Sequence, residues 1–245
     1  MNLRDPRTQL SWLLILIFLS ASFFYKDFFL LKNLVIATSS AVIFDFLFLK
    51  LRKIELFPPA AAITTGVIIS LLTSPNLPFY EIIIASFVAI SFKNFARGIN
   101  RHIFNPAGIG VLVSSFLFHH PVSWWAVSFQ QTLPFYLILL SPALVSMVRM
   151  KRFAIAAPFL LTYSVFTQFA IHSSSLLTQI TDPTLLFFSL VMLPEPQTTP
   201  NKKTIQIGFG IFVALIAIIS SKIFGTIDPL IFALLAGNLI FYRLK

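Results

Sequence analysis

The chain of 245 residues has no cysteine, only eight acidic residues and only four histidines. Without cysteine it forms neither a disulfide scaffold nor a thiolate-ligated metal centre, and it has no cysteine nucleophile. Charged residues make up 11% of the chain, whereas an average globular protein has about 25%. With so few acidic residues and histidines, the chain has few side chains that could act as acids, bases or nucleophiles in hydrolysis. Nothing in the sequence predicts a metal site.

Hydrophobic residues, in contrast, make up 57% of the chain, and the mean hydropathy is +0.89. A helix that crosses a membrane needs about 20 apolar residues. The first apolar segment is interpreted as a retained helix, because its apolar run continues past Ser20-Ala21-Ser22. The composition predicts an all-α integral membrane protein, a single polytopic domain over residues 1–245. Ten apolar segments are predicted, at 10–25, 28–49, 59–74, 79–92, 103–118, 133–148, 153–171, 183–193, 204–221 and 229–242.

Prolines make the third and eighth segments too short to span a bilayer. The third segment is capped by Pro58-Pro59 in front and by Pro75 and Pro78 behind, whereas the eighth lies between Asp182-Pro183 and Pro194-Glu195-Pro196. Proline ends helices, and unpaired backbone at membrane depth is tolerated only inside protein or beside a cavity. The pattern predicts short, discontinuous helices at these positions. The alternative is two ordinary helices with early stops.

The net charge of +10 has a regular distribution along the chain. If the N-terminus is cytoplasmic, fifteen of the eighteen basic residues fall at cytoplasmic ends of segments, as the positive-inside rule requires. The sequence therefore predicts a multi-pass protein of the cell membrane with both termini cytoplasmic. Charge spread over short loops does not favour a nucleic-acid partner. The fifteen are Arg4, Arg7, Lys50, Arg52, Lys53, Lys93, Arg97, Arg101, Arg149, Lys151, Arg152, Lys202, Lys203, Arg243 and Lys245.

Two Asx-Pro pairs indicate an internal repeat. Asn105-Pro106 opens the fifth segment and Asp228-Pro229 opens the tenth, each after a short segment and a full one. Two five-segment units, about 10–118 and 133–242, must have opposite topology, which is the inverted-repeat plan of many transporters. An Asx-Pro pair is also a normal start for a helix. Plain capping and anion binding at a helix N-terminus both remain open.

Three motifs in register resemble the RnfD/NqrB family. Residues 62–75 resemble its "ALVTGLLLALLLPP" helix, residues 104–110 its "FNPAxxG" motif and residues 192–202 its "TDPVSAPTTPxGK" stretch. The resemblance covers roughly residues 55–245 and implies ten helices. It also implies a membrane subunit of an electron-transport complex that carries flavin, has partner subunits and is coupled to Na⁺ or H⁺. The chain would then be part of an oxidoreductase or translocase.

The resemblance also implies cofactor residues. Thr64, Thr65, Gly66 and Asn105 lie in the matched motifs and are candidates for contact with FMN or riboflavin. The family attaches FMN to a threonine in an "SGAT"-like sequence after the FNPA helix. That loop has no SGAT here, and Thr132 is the nearest counterpart. Covalent attachment is therefore doubtful, and a noncovalent flavin or a partner that has lost its cofactor are the other interpretations.

Four carboxylates inside or beside the apolar segments are candidates for an ion path, because such residues are costly in a membrane. Glu195 follows the eighth segment and Asp228 opens the tenth. Asp45 lies five residues before Lys50, with which it can pair, and Glu81 lies one turn into the fourth segment. Structural roles in capping or pairing are the alternative for each of them.

The aromatic and histidine residues around the loop after the fifth segment suggest a membrane interface. Trp124 and Trp125 suit an interfacial aromatic belt, and His119, His120 and His172 are interpreted in the same way. A different function also remains open. Five-plus-five inverted repeats with short third and eighth helices are similar to urea transporters, so the second hypothesis is a channel or transporter for a small solute.

Overall fold

The computed structural model describes residues 6–55, 58–98, 101–129, 132–149, 151–171 and 175–244. Arg4, His172 and Lys245, on which parts of the sequence argument depend, lie outside these ranges. Each of the ten predicted apolar segments coincides with a helix. The helices are α1 (Pro6–Phe24), α2 (Leu31–Leu51), α3 (Ala60–Leu72), α4 (Phe79–Phe95), α5 (Pro106–Phe118), α6 (Leu133–Leu144), α7 (Phe153–Ile171), α8 (Leu176–Ile180), α9 (Pro183–Phe187), α10 (Lys203–Ile223) and α11 (Pro229–Ile240).

Several short elements complete the described chain. Helix α6 continues as a π-helical turn over Val145–Arg149, and α9 continues as one over Phe188–Met192. Turns of 3₁₀ helix lie at Phe28–Leu30 and Tyr242–Leu244. Strands β1 (Arg97–Gly98) and β2 (Arg101–His102) pair antiparallel between α4 and α5. Helix α8 and this hairpin were not predicted, because elements of two to five residues carry no periodic signal.

Within the described ranges, two helical stretches are long and apolar enough to cross a membrane, Phe28–Leu51 and Lys203–Ile223. Shorter apolar helices accompany them, and α3 is among these with 13 residues. This helical, apolar architecture agrees with an all-α membrane protein. The number of crossings and the inverted repeat stay predictions.

Small residues allow close packing of the helices. Helix α2 packs on α3 and α4, α4 packs on α5, α7 packs on α10, and α10 packs on α11. Gly66 of α3 lies against α2 so closely that a Cβ atom would be 2.6 Å from the Cα of Thr38. Small residues of this kind let helix backbones approach where hydrophobic burial gives little driving force. The packing brings the start of α5 beside α11.

Candidate functional site

Asn105 begins α5 for reasons that the local sequence explains. Its side-chain oxygen accepts a hydrogen bond of 2.9 Å from the backbone N–H of Gly108, and its backbone is extended with φ −61° and ψ 118°. Pro106 follows at the first helical position, where a missing N–H costs nothing. Asn105 is therefore a true N-cap, as the motif predicts.

Asn105 also joins two distant parts of the chain. Its side-chain amide donates to the Glu195 carboxylate over 2.9 Å. Its backbone N–H donates over 2.9 Å to the side-chain oxygen of Asn238, near the end of α11. Asn105 is 3% exposed and Asn238 is fully buried. We call Asn105, Glu195, Thr198 and Asn238 the N-cap junction.

The segment after α9 is folded back on Glu195. The Thr199 hydroxyl donates to the Glu195 backbone oxygen over 2.7 Å, and the Thr198 N–H donates to the same oxygen over 3.2 Å. The Asn238 amide closes the junction by donating to the Thr198 backbone oxygen over 3.4 Å. The second and third motifs of the sequence thus meet in space.

The two Asx-Pro helices, α5 and α11, touch near their starts. A Cβ atom on Gly108 would lie 3.6 Å from the Cγ2 methyl of Ile231. Each of these residues lies three positions after its cap, Asn105 or Asp228, which is about 4.5 Å along a helix axis. Both helix N-termini therefore lie close to the α5–α11 contact, inside the protein.

Arg152 anchors the segment that follows the N-cap junction. Its guanidinium donates to the Pro200 backbone oxygen and, over 3.2 Å, to the Asn201 side-chain oxygen. Arg152 is 8% exposed. Burial, and secondarily the charge of Arg101, lower the pKa of the Arg152 guanidinium. We call this end of the molecule, with Arg52, Arg97, Arg101 and Arg152, the basic end.

Asp228 caps α11 on the side of the α5–α11 contact away from the basic end, beside Trp124, and we call that side the tryptophan end. One carboxylate oxygen accepts from the Ile231 N–H over 2.8 Å, and the other accepts from the Trp124 indole over 2.7 Å. Hydrogen bonds to an ionised acceptor are among the stronger ones in proteins. Asp228 is thus a cap that also holds a loop.

The neighbouring Trp125 is not interfacial, so that interpretation is wrong for this residue. It is 9% exposed, and its indole donates over 3.3 Å to the Ser70 backbone oxygen near the end of α3. Its ring meets Phe18 edge-on at 5.4 Å between centroids. The indole turns inward because an N–H group can satisfy a carbonyl at a helix end. Sequence alone gave no signal for this partner.

Asp45 is held by α4 and not by Lys50. One of its oxygens accepts from the Lys93 ammonium over 2.9 Å, and the other accepts from the Asn94 amide over 3.0 Å. The Arg52 guanidinium donates to the Asn94 oxygen over 3.3 Å. The predicted partner fails because residues five apart on a helix do not share a face.

Glu81 pairs with His120, 3.5 Å away, at the tryptophan end.

The residues of the first motif take part in helix packing. The Thr64 hydroxyl is 2.7 Å from the Ser11 hydroxyl of α1, and the Thr65 hydroxyl donates to the Ala61 backbone oxygen over 2.9 Å. Gly66 is in tight backbone contact with α2. These three positions make contacts within and between α1, α2 and α3, and their role in cofactor binding stays a prediction.

Thr132 is exposed at the N-cap of α6, where its side chain makes no capping bond. Its hydroxyl is accessible. Thr132 is not among the residues that line a cleft of about 480 Å³ at the tryptophan end. The described surroundings of Thr132 therefore do not fit a covalently attached flavin.

That cleft has a volume of about 480 Å³ and is lined by Tyr163, Thr178, Gln179, Asp182, Thr184, Leu185 and Leu230. Binding sites for small molecules and cofactors are roughly 300–1,000 Å³ and combine apolar walls with a few polar groups. Its size and mixed lining fit a noncovalent ligand as large as a flavin ring system. This cleft could not be predicted from sequence, because its residues come from α7, α8, α9 and α11 and from the turn before α9.

Comparison with known proteins agrees with the first two motifs, which lie within the matched residues. Residues 6–136, which are 131 of the 245 residues, match the profile of the "NQR2, RnfD, RnfE family". The chain is also similar to a subunit of the ion-translocating oxidoreductase complex of Actinobacillus succinogenes, with 28% identity over 111 residues. That alignment covers 44% of this chain and 31% of the relative, so the chain matches less than a third of the relative's length. The chain belongs to the NQR2, RnfD, RnfE family.

Proposed function

We propose that this protein is a membrane subunit of an ion-translocating electron-transport complex. Membership of the NQR2, RnfD, RnfE family supports this function, as does the similarity to the Actinobacillus succinogenes protein, which belongs to an ion-translocating oxidoreductase complex. The observation that carries the proposal is the N-cap junction. It places Asn105 of the FNPA motif 2.9 Å from Glu195 of the third motif. A subunit of such a complex binds other subunits, and we propose partner subunits for this chain as well.

We further propose that the chain is built from two inverted repeats. If Asn105 is equivalent to Asp228, then Gly108 is equivalent to Ile231. These two residues lie side by side between α5 and α11. Equivalent residues meet each other only at a two-fold axis. Their proximity supports an axis between α5 and α11, with both N-termini near the membrane midplane, as in transporters with discontinuous helices.

The basic end is proposed to face the cytoplasm, with all ten segments in the membrane and both termini cytoplasmic. Arg52, Arg97, Arg101 and Arg152 support this orientation. Arg97 and Arg101 lie on the paired strands β1 and β2, Arg52 donates to Asn94 near the end of α4, and the charge of Arg101 acts on Arg152. Lysine and arginine are retained on the cytoplasmic side of cell membranes. Glu195 and Asp228 then lie on opposite sides of the α5–α11 contact, and we propose them as the two carboxylates of the ion path.

Flavin is proposed as a noncovalent cofactor in the large cleft. Tyr163, Thr178, Gln179 and Thr184 offer hydrogen-bonding groups there, and Leu185 and Leu230 offer an apolar wall. A bound flavin supplies the electron-transfer chemistry, and the protein supplies position and electrostatics. No step is assigned to Thr132, because its surroundings do not fit covalent FMN.

The contacts between α5 and α11 favour the electron-transport subunit over a solute channel. A solute pathway between two repeats needs an open lumen at their interface. The contact of Gly108 with Ile231 and the hydrogen bond of Asn105 to Asn238 close the α5–α11 interface in the described residues. A subunit without a cofactor remains the second candidate, because Thr132 has no flavin-like surroundings.

The test is the absorbance spectrum of the protein purified together with its partner subunits. We expect flavin absorbance that is released on denaturation and is unchanged in Thr132→Ala. Leu230→Trp, which fills the cleft, is expected to lower the flavin content, whereas the exposed Leu177→Trp on α8 serves as control. A complex without flavin would contradict the flavin proposal. Flux of a small neutral solute into liposomes would favour the channel.

A further inference from the structure

A second, much smaller cavity lies at the tryptophan end between the end of α3, the start of α4 and the end of α5. Its volume is about 10 Å³, which is roughly the space that one water molecule or one small ion requires. The polar side chains that line it are those of Thr73, Glu81, Ser114, Ser115 and His120.

Glu81 is the charged group of this cavity, and it is poorly compensated. It is 3% exposed. Among the described residues its carboxylate has one ionisable neighbour, the imidazole of His120, whose nitrogen is 3.5 Å from the nearer carboxylate oxygen and whose side chain is 46% exposed. A buried carboxylate is costly unless it is paired and hydrogen-bonded. A partner at 3.5 Å on the rim satisfies that need only in part.

The hydroxyl groups around Glu81 present oxygen lone pairs. Ser114 donates its proton to the Glu81 backbone oxygen over 3.4 Å, and Ser115 donates to the His120 backbone oxygen over 2.5 Å. Thr73 donates to the Ile69 backbone oxygen over 2.9 Å. A hydroxyl has one proton to donate, so each of these groups is left as an acceptor. Apart from His120, the polar side chains of the cavity therefore offer only acceptors.

The end of α3 borders the cavity through Leu72 and Thr73. The Leu72 backbone oxygen accepts from the Ser123 N–H over 2.9 Å, and the Ser70 backbone oxygen accepts from the Trp125 indole. Because these carbonyl groups are already hydrogen-bonded, the side chains supply the acceptors of the cavity. His119 ends α5 in a left-handed conformation with φ 55°, and this turn places His120 at the rim of the cavity.

We propose that this cavity binds one small monovalent cation of the size of Na⁺. Glu81 neutralises its charge, and the oxygens of Thr73, Ser114 and Ser115 complete an oxygen-rich site of the kind that hard cations prefer. One carboxylate matches the charge of one monovalent ion, whereas a divalent ion would keep an uncompensated positive charge in this buried site. The role of this site in ion coupling rests on the proposed function, but the binding itself does not.

The test is thermal unfolding of the full-length protein in lipid nanodiscs, in NaCl or choline chloride at constant ionic strength. We expect Na⁺ to raise the unfolding temperature saturably, because a ligand that binds only the folded state stabilises it. Glu81→Gln is expected to weaken the apparent Na⁺ affinity by roughly tenfold or more. Ser114→Ala is expected to weaken it less, and Glu55→Gln, which changes an exposed carboxylate, is expected to leave it unchanged.

His120→Ala keeps the proposal testable if Glu81→Gln does not fold. Removal of the competing imidazole is expected to preserve or strengthen the Na⁺ effect, whereas a cavity that holds only water gives no Na⁺ effect in either protein. An equal Na⁺ shift in Glu81→Gln, or an equal shift with choline, would overturn the site. Flavin content is measured on the same samples. A Glu81-dependent shift without flavin supports the cation site and counts against the proposed function, so the two failures are distinguishable.

Discussion

The contact between α4 and α5 is sensitive to a single added methyl group. A Cβ atom on Gly110 of α5 would lie 2.4 Å from the Ala85 backbone oxygen and 2.7 Å from the Ala89 Cβ. Both distances are far below van der Waals contact, so in Gly110→Ala the helices must separate by roughly 0.5–1 Å. Neither neighbour is the end of a flexible side chain, and the strain cannot be relieved by a rotamer change.

The expected cost follows from measured effects of overpacking. An added carbon in a well-packed interior costs about 1–3 kcal/mol. Gly208→Ala is the matched control, because Gly208 is also helical but has nothing within 4 Å of its would-be Cβ. Both substitutions gain about 0.5–1 kcal/mol of helix propensity. The difference between the variants therefore isolates the packing term, and we expect Gly110→Ala to be less stable by about 1–3 kcal/mol.

The assay is reversible unfolding in mixed micelles, followed by far-UV circular dichroism. The free energy of unfolding is compared among the parent protein, Gly110→Ala and Gly208→Ala. Gly208→Ala should be at least as stable as the parent. If the two variants differ by less than about 0.5 kcal/mol, which is the usual range of surface substitutions, the close α4–α5 contact does not exist in the membrane protein.

Three further predictions use the same unfolding measurement. Asn105→Ala removes a helix cap and a bond to a carboxylate and should cost about 2–4 kcal/mol. Asp182→Ala, which loses a helix cap, should cost about 1 kcal/mol, and equal costs would contradict a special role for the junction. Lys93→Met leaves the buried carboxylate of Asp45 without its ammonium and should cost about 3 kcal/mol. The double variant Lys93→Met/Asp45→Asn should recover part of that loss, and no recovery would mean that the pair is not coupled. Asn105→Asp replaces the amide that donates to Glu195 by a second carboxylate, so it should be more destabilising than Asp228→Asn by about 1 kcal/mol or more. The reverse order would contradict a neutral cap beside Glu195 at α5 and a charged cap at α11.

The helices could be predicted from the sequence because each is a run of apolar residues with a clear boundary. Asn105-Pro106 and Asp228-Pro229 begin helices at the predicted residues, since capping is a local property. Helix α8 could not be predicted, because it is a five-residue helix of mixed composition. The family could also be inferred from the motifs, and the profile match confirms it.

The partners of the polar groups could not be predicted, because they depend on how helices far apart in sequence cross. Asp45 pairs with Lys93 on α4 and not with Lys50 on its own helix. Asn238 of α11 accepts the backbone N–H of Asn105, which lies 133 residues earlier in the chain. The sequence indicates which polar residues are costly to bury. Their hydrogen-bond partners depend on where α2 crosses α4 and where α5 crosses α11.

The starts of α5 and α11 obtain their negative charge in different ways, and this difference bears on ion coupling. A helix N-terminus carries about half a positive charge. At α11 the cap is itself the carboxylate, so neutralising Asp228 weakens the cap and the Trp124 bond together. At α5 the cap is a neutral amide, and the charge comes from Glu195, which belongs to the segment between α9 and α10. Neutralising Glu195 leaves the Asn105 cap intact and weakens the bond between α5 and that segment. In a complex that moves ions, the Glu195 side of the α5–α11 contact is therefore the one where a bound charge can move a segment without unfolding a helix.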